Sequence, residues 1–181
     1  MVSITTERLT IRRFTRDDWQ DLYEYLSNKN VVFYEPYDVL SEDQCKEEAI
    51  NREYNESFWA VCLKSTDKVI GNLYFEKQNF DTWELGYVFN EEFHNNGYAT
   101  ESAKALINYA FTELGARRII AMCSPKNEPS WKLLERLNMR REGHQLQTVY
   151  FKKDEKHQPI WQDTYQYALL ASEWEETQKR K

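Results

Sequence analysis

The sequence predicts an α/β fold organised on a mixed sheet, and three observations lead there. Segments "FWAVCLK" (58–64), "VIGNLYFEKQ" (69–78) and "WELGYVFN" (83–90) are short and rich in β-branched and aromatic residues. Turn-like Ser65-Thr66-Asp67 and Asn79-Phe80-Asp81 divide them, the pattern of an antiparallel meander. The last of them is followed by a helical period and then by another apolar stretch, "RRIIAMCS" (117–124). Strand 83–90, helix 98–114 and strand 117–123 therefore form a βαβ unit whose two strands should run parallel. With 181 residues, 41% hydrophobic and 15% aromatic, the chain has the material for one well-filled core, and 1–181 is read as a single domain.

The remaining elements follow from local patterns. Leu9 and Ile11, alternating with polar neighbours, give a strand over about 4–13. Thr15 can cap a helix in which Trp19, Leu22, Tyr23 and Leu26 share one face. A loop with Pro36 spans about 28–40, and Ser41 with Gln44 forms the signature of a capping box that opens a very polar second helix to about Tyr54. Within helix 98–114 the residues Ala99, Ala103, Leu106, Ile107, Ala110, Phe111 and Leu114 recur at helical spacing, and Gly115 suits a left-handed end. Asn127 can cap a helix over 127–139 with Pro129 in its first turn, and two closing strands fit about 145–153 and 160–171.

Composition restricts the function. Net charge is −6, from 24 basic and 30 acidic residues, which speaks against a nucleic-acid binder with a basic face and suits a cationic small molecule or basic peptide. No apolar run approaches the roughly 20 residues that cross a bilayer, and the first residues lack a signal peptide's basic start and apolar core. No membrane partner and a cytoplasmic location are therefore expected. Cys45, Cys62 and Cys123 are odd in number and widely spaced, so neither a disulfide framework nor a metal site is expected, and all three read as buried thiols.

Only five glycines occur, and Gly97 sits in "FHNNGYATE" (93–101), at the mouth of helix 98–114. First-turn amides have no partner inside a helix, and together with the positive end of the macrodipole they attract anions such as phosphate. A residue without a side chain lets the backbone come close. The alternative is a plain turn glycine. Neither G-x-G-x-x-G nor G-x-x-x-x-G-K-[ST] is present, so a Rossmann enzyme and a P-loop NTPase are unsupported.

Taken together, "ELGYVF", "HNNGYATESAKALINYAF" and "NEPSWKLLERLNM" resemble the acyl-coenzyme A-binding core of the GNAT acetyltransferase superfamily, especially its RimJ/RimL-like branch. The likeness extends from "TERLTIRRF" to the tail "IWQDTYQYALLASEW". His94 departs from the family's usual Gln or Arg. The resemblance implies a twisted, mostly antiparallel sheet with helices on both faces, in which strand 83–90 carries a bulge and splays from strand 117–123. Acetyl-CoA would lie in the resulting slot, its pantetheine arm against main-chain groups of Tyr87, Val88 and Phe89. Its pyrophosphate would meet the loop of His94, Asn95, Asn96, Gly97, Tyr98, Ala99 and Thr100. Asn127 would bond the pantetheine arm and Ser130 would sit beside the thioester sulfur. From local pattern alone Asn127 reads first as a helix cap and Ser130 as a first-turn polar residue, and it is the resemblance that favours the functional roles.

The implied reaction is direct attack of an amine on the thioester. Ser130 is the candidate acid for the leaving thiolate, because the position where many relatives carry Tyr is Leu134 here. Glu84 is the candidate base, though a solvent-facing strand carboxylate is an equal reading. Tyr34, Glu35 and Tyr37 lie in the loop that shapes the acceptor site in relatives and suit a cation, as ordinary loop packing also would. Deprotonating a lysine-like amine at pH 7 costs about 4.6 kcal/mol against about 1 kcal/mol for an α-amine. The acceptor, a protein N-terminus or a small cationic amine such as a polyamine or aminoglycoside, stays open. So do a coenzyme-binding regulator without activity, a protein-interaction module and a homodimer.

Overall fold

The structure is a computed structural model describing residues 2–179. Its strands are β1 (Ile4–Thr5), β2 (Leu9–Arg12), β3 (Phe58–Leu63), β4 (Val69–Lys77), β5 (Thr82–Phe89), β6 (Arg118–Cys123), β7 (Arg140–Val149) and β8 (Gln162–Leu170). The α-helices are α1 (Trp19–Leu26), α2 (Glu42–Tyr54), α3 (Tyr98–Thr112), α4 (Glu128–Arg136) and α5 (Ala171–Lys179). All strands join one sheet in the order β1-β2-β3-β4-β5-β6-β8-β7, antiparallel except for the β5–β6 pair. The expected α/β class, the meander β3-β4-β5 and the parallel pair are present.

Helix boundaries follow the expected chemistry. Ser41 Oγ accepts the Gln44 N–H at 3.3 Å while Gln44 Oε1 accepts the Ser41 N–H at 2.9 Å, a reciprocal capping box at the start of α2. Gly115 adopts φ +65° just beyond α3, and Asn127 caps α4. In α1 the buried face is Leu22, Tyr25 and Leu26, whereas Tyr23 is turned outward. Tyr25 packs there because its hydroxyl finds a buried acceptor, Asn72 Oδ1 at 2.9 Å.

Three element boundaries need correction. The strand expected over 4–13 is a hairpin of β1 and β2, folded back where Thr6 Oγ accepts the Leu9 N–H at 3.0 Å. The strand expected over 145–153 starts earlier, at Arg140. β7 is a sheet edge with mostly exposed side chains, so it lacks the alternation that marks a half-buried strand. The tail beyond β8 forms α5, anchored by Trp174, whose Nε1 donates to Asn108 Oδ1 at 3.3 Å.

Strand alternation gives the sheet two packed faces. Leu85 and Phe89 point to the side covered by α3, α4 and Trp174 of α5, in the larger cluster with Leu106, Leu133 and Leu134. Val88 points to the side covered by α1 and α2, with Leu22, Leu26 and Ala49. Gly71 of β4 stands opposite Phe89, and a Cβ there would meet the Phe89 ring at 2.5 Å and the Val88 carbonyl oxygen at 2.7 Å. Gly71→Ala is therefore expected to destabilise the fold by roughly 1–3 kcal/mol through overpacking, read as a lowered urea midpoint at unchanged slope.

The β5–β6 pairing is short. It joins Thr82 to Arg118, Trp83 to Ile119 and Glu84 to Ile120, and stops there. Beyond it β5 stays with β4 as far as Phe89, and β6 stays with β8 as far as Cys123. The two halves of the sheet thus part, as the slot requires. The bulge expected in β5 is absent: its ladder to β4 runs without a shift from Trp83 to Phe89. Divergence arises instead because each strand follows the twist of its own half-sheet.

Candidate active site

A cavity of about 1010 Å³ occupies the gap between β5 and β6 and runs to the loop before α3. It is walled by Glu84, Tyr87, Val88 and Phe89 from β5, His94, Asn95, Gly97, Tyr98, Ala99 and Thr100 at the α3 mouth, Asn127 and Ser130 from the start of α4, and Tyr34, Glu35 and Tyr37. Of the residues singled out from sequence, Asn96 alone is not in the wall. Its side chain is folded back, Nδ2 donating to Phe93 O at 3.3 Å and to His94 O at 3.0 Å.

The mouth of α3 has the geometry of an anion cradle. Asn95 and Gly97 are both left-handed, at φ +62° and +80°, so the chain turns sharply into the helix. His94 Nε2 meets Phe89 O at 3.0 Å, tying the loop to the end of β5, and the Glu101 N–H donates to Gly97 O at 2.9 Å. Among the described residues, no acceptor bonds the backbone N–H groups of 95–100. These donors fit a diphosphate, and the edge of β5 beyond Glu84, without a strand partner, fits an extended arm carrying amides.

Ser130 stands on the first turn of α4, and its N–H donates to Asn127 Oδ1 at 3.4 Å. Both readings of Asn127 hold geometrically: it caps the helix and it lines the cavity. The Ser130 hydroxyl lies 2.9 Å from the hydroxyl of Tyr87, which also bonds Ser130 O at 3.0 Å. Burial pushes the Tyr87 phenol well above its usual range, so it keeps its proton. Sequence reasoning considered only the main chain of Tyr87 and looked for a phenol at 134. Leu134 is fully buried in the core, and a phenol reaches Ser130 from β5 instead. Alternation already puts Tyr87 on the α3/α4 face with Leu85 and Phe89, but only the folded chain shows what it meets there.

Glu84 lies on the opposite face of the sheet from Tyr87, across the gap. It pairs in register with Glu76, and Gln78 Nε2 donates to it at 3.4 Å. Burial, and then the neighbouring Glu76, raises its carboxyl above the ordinary range. Glu35 is pushed up to about 7 by burial, opposed by the charge of Arg52. Tyr34 ties this loop to the segment before α4, its hydroxyl donating to Lys126 O at 3.0 Å. Arg136, also in the wall, lies beside Thr100 at the α3 mouth, its Nε 3.5 Å from the hydroxyl. Charges thus segregate: cationic at the mouth, acidic on the other side.

Cys45 and Cys62 are buried as expected, but Cys123 is only partly buried and lines the cavity. Burial pushes its thiol up to about 11. Near neutral pH only about one molecule in ten thousand would carry the thiolate.

Residues 8–140 match the family described as Acetyltransferase (GNAT) domain. The chain is 42% identical to the uncharacterized N-acetyltransferase YnaD of Bacillus subtilis, over 94% of this chain and 98% of that one. It is 25% identical to the [ribosomal protein uS5]-alanine N-acetyltransferase of Escherichia coli, over 96% of this chain and 93% of that one. The crystal structure of a GNAT-family acetyltransferase from Bacillus anthracis superposes with a TM-score of 0.84 at 36% identity, covering 94% of this chain and 99% of the other. None of the helices is long and apolar enough to cross a membrane among the described residues.

Proposed function

The chain belongs to the GNAT acetyltransferase family and is an acyltransferase, and from that premise we propose that it moves an acetyl group from acetyl-CoA directly onto a primary amine. The single observation that carries this reading is a cavity passing through the sheet, with unpartnered amides and a hydroxyl pair on one side and two carboxylates on the other. Bound acetyl-CoA supplies an activated thioester; the rest of the chemistry falls to the chain's own residues.

The amides of 95–100 hold the diphosphate, helped by Arg136, and the free edge of β5 orients the arm. Ser130, its hydroxyl in contact with Tyr87 on the α3/α4 side, would hold the proton for the leaving sulfur. From the α1/α2 side, Glu84 removes the amine's proton directly or through water, and Glu35 holds the cationic end of the acceptor. The proton lost by the entering amine and the proton gained by the departing thiol are thus handled by separate groups, as addition to the thioester carbon and collapse of the tetrahedral intermediate allow. The α-amine of a polypeptide is the preferred acceptor, since its deprotonation costs about 3.6 kcal/mol less than that of a lysine. The likeness to the ribosomal-protein alanine acetyltransferase supports this choice. With Tyr87 beside Ser130, the missing phenol at 134 gives no reason to prefer an inactive coenzyme binder.

Free-thiol release over a panel of peptides, polyamines and aminoglycosides tests the proposal; no turnover with any amine would sink it. Direct attack also predicts that Cys123→Ser keeps kcat within about threefold, and that initial-rate lines intersect rather than run parallel. With its carboxyl near 7, Glu35 loses charge as pH falls through neutrality. The KM for a cationic acceptor should therefore rise below about pH 7, and Glu35→Gln should raise it roughly tenfold and flatten that limb.

A further inference from the structure

The opening motif around Thr6 and Arg8 is far from the cleft in sequence, yet it is folded onto the loop before α3. The Arg8 guanidinium pairs with Glu101, with Nη2 at 2.6 Å and Nε at 2.7 Å from Oε2. Glu101 Oε1 in turn accepts the Arg8 backbone N–H at 3.0 Å and the Thr6 hydroxyl at 2.5 Å. The guanidinium lies 4.5 Å from the centre of the Tyr98 ring. What remains of its fork, Nη1, donates to Asn96 O at 3.0 Å.

That last bond governs a direction. In a planar trans peptide the carbonyl of one residue and the N–H of the next point to opposite sides. Holding Asn96 O against Arg8 therefore aims the Gly97 N–H the other way. The peptide needs holding because glycine, which lets the loop come close to a ligand, also tolerates the flipped orientation. A flipped peptide would present a carbonyl oxygen to a diphosphate. Asn96 Nδ2 on His94 O fixes the Asn95 N–H in the same manner.

We propose that Arg8, held in place by Glu101, is a positioning residue that keeps the Gly97 N–H aimed into the cleft and so sets the affinity for the coenzyme diphosphate. This rests on the acetyl-CoA reading above. Arg8 acts through the loop, with its charge spent on Glu101.

Two variants test it by calorimetry with acetyl-CoA and by steady-state kinetics. Arg8→Ala should weaken coenzyme binding about tenfold, with KM for the amine within about twofold. Glu101→Gln separates positioning from direct attraction. If Arg8 simply attracted phosphate, removing the nearby negative charge would leave binding unchanged or tighten it; a brace predicts weakening, again by about tenfold. Weaker binding in both variants, at melting temperatures close to the parent's, supports the brace. Unchanged or tighter binding in Glu101→Gln overturns it, as does unchanged binding in Arg8→Ala. Failure of the unaltered protein to bind acetyl-CoA would instead overturn the coenzyme reading beneath it.

Discussion

Ser130→Ala is expected to lower kcat roughly 10²-fold while the dissociation constant for acetyl-CoA stays within about threefold. The hydroxyl meets Tyr87, the Cys123 thiol and the cavity, and it neither caps the helix nor fills the core, so its loss leaves the α4 start intact. What goes is the proton for the departing sulfur. Tyr87→Phe distinguishes two versions of that role. If the phenol feeds Ser130 as one relay, the two variants and their double combination should slow turnover by similar amounts, because groups acting as a unit are not additive. If Ser130 works alone, Tyr87→Phe should cost far less. Thiol release under saturating amine reads both, and a Ser130→Ala protein within threefold of the parent would remove Ser130 from the chemistry.

The second large effect is expected at Gly97. Valine there should weaken acetyl-CoA binding by more than about 100-fold, equivalent to about 3 kcal/mol. At φ +80° a side chain is strained even though space exists, since a Cβ would find only Arg8 Nη2, at 3.5 Å. The left-handed penalty is about 1–2 kcal/mol for an ordinary residue and smaller for Asn. Relief of the strain would rotate the amides that face the ligand. A series of Asn, Ala and Val at this position should therefore bind progressively less tightly by calorimetry, following tolerance of the left-handed region. Asn binding more weakly than Ala would mean that side-chain bulk blocks the anion instead. Parent-like affinity in the valine variant would show that this turn does not form the diphosphate site.

Legibility varied with how local the cause was. The α2 capping box, the Asn127 cap, the left-handed Gly115 and the α3 register all depend on residues within one or two turns of each other, and all were readable. β7 was misplaced because an exposed edge strand carries no apolar alternation. The start of α5 was hidden because "YALLASEW" continues a buried strand directly into a helix, with no Pro or Gly to mark the change.

The sequence by itself determined the order and kind of most elements, the glycine turn at the mouth of α3, and the residue types offered to the cleft. These follow from spacing along one chain. Tertiary structure alone decided that β5 and β6 part after Glu84, that Tyr87 meets Ser130, that Cys123 faces the cavity, and that Arg8 grips the loop. Each joins segments widely separated along the chain. Where their side chains meet is set by how helices pack on the two faces of a twisted sheet, which no local pattern encodes.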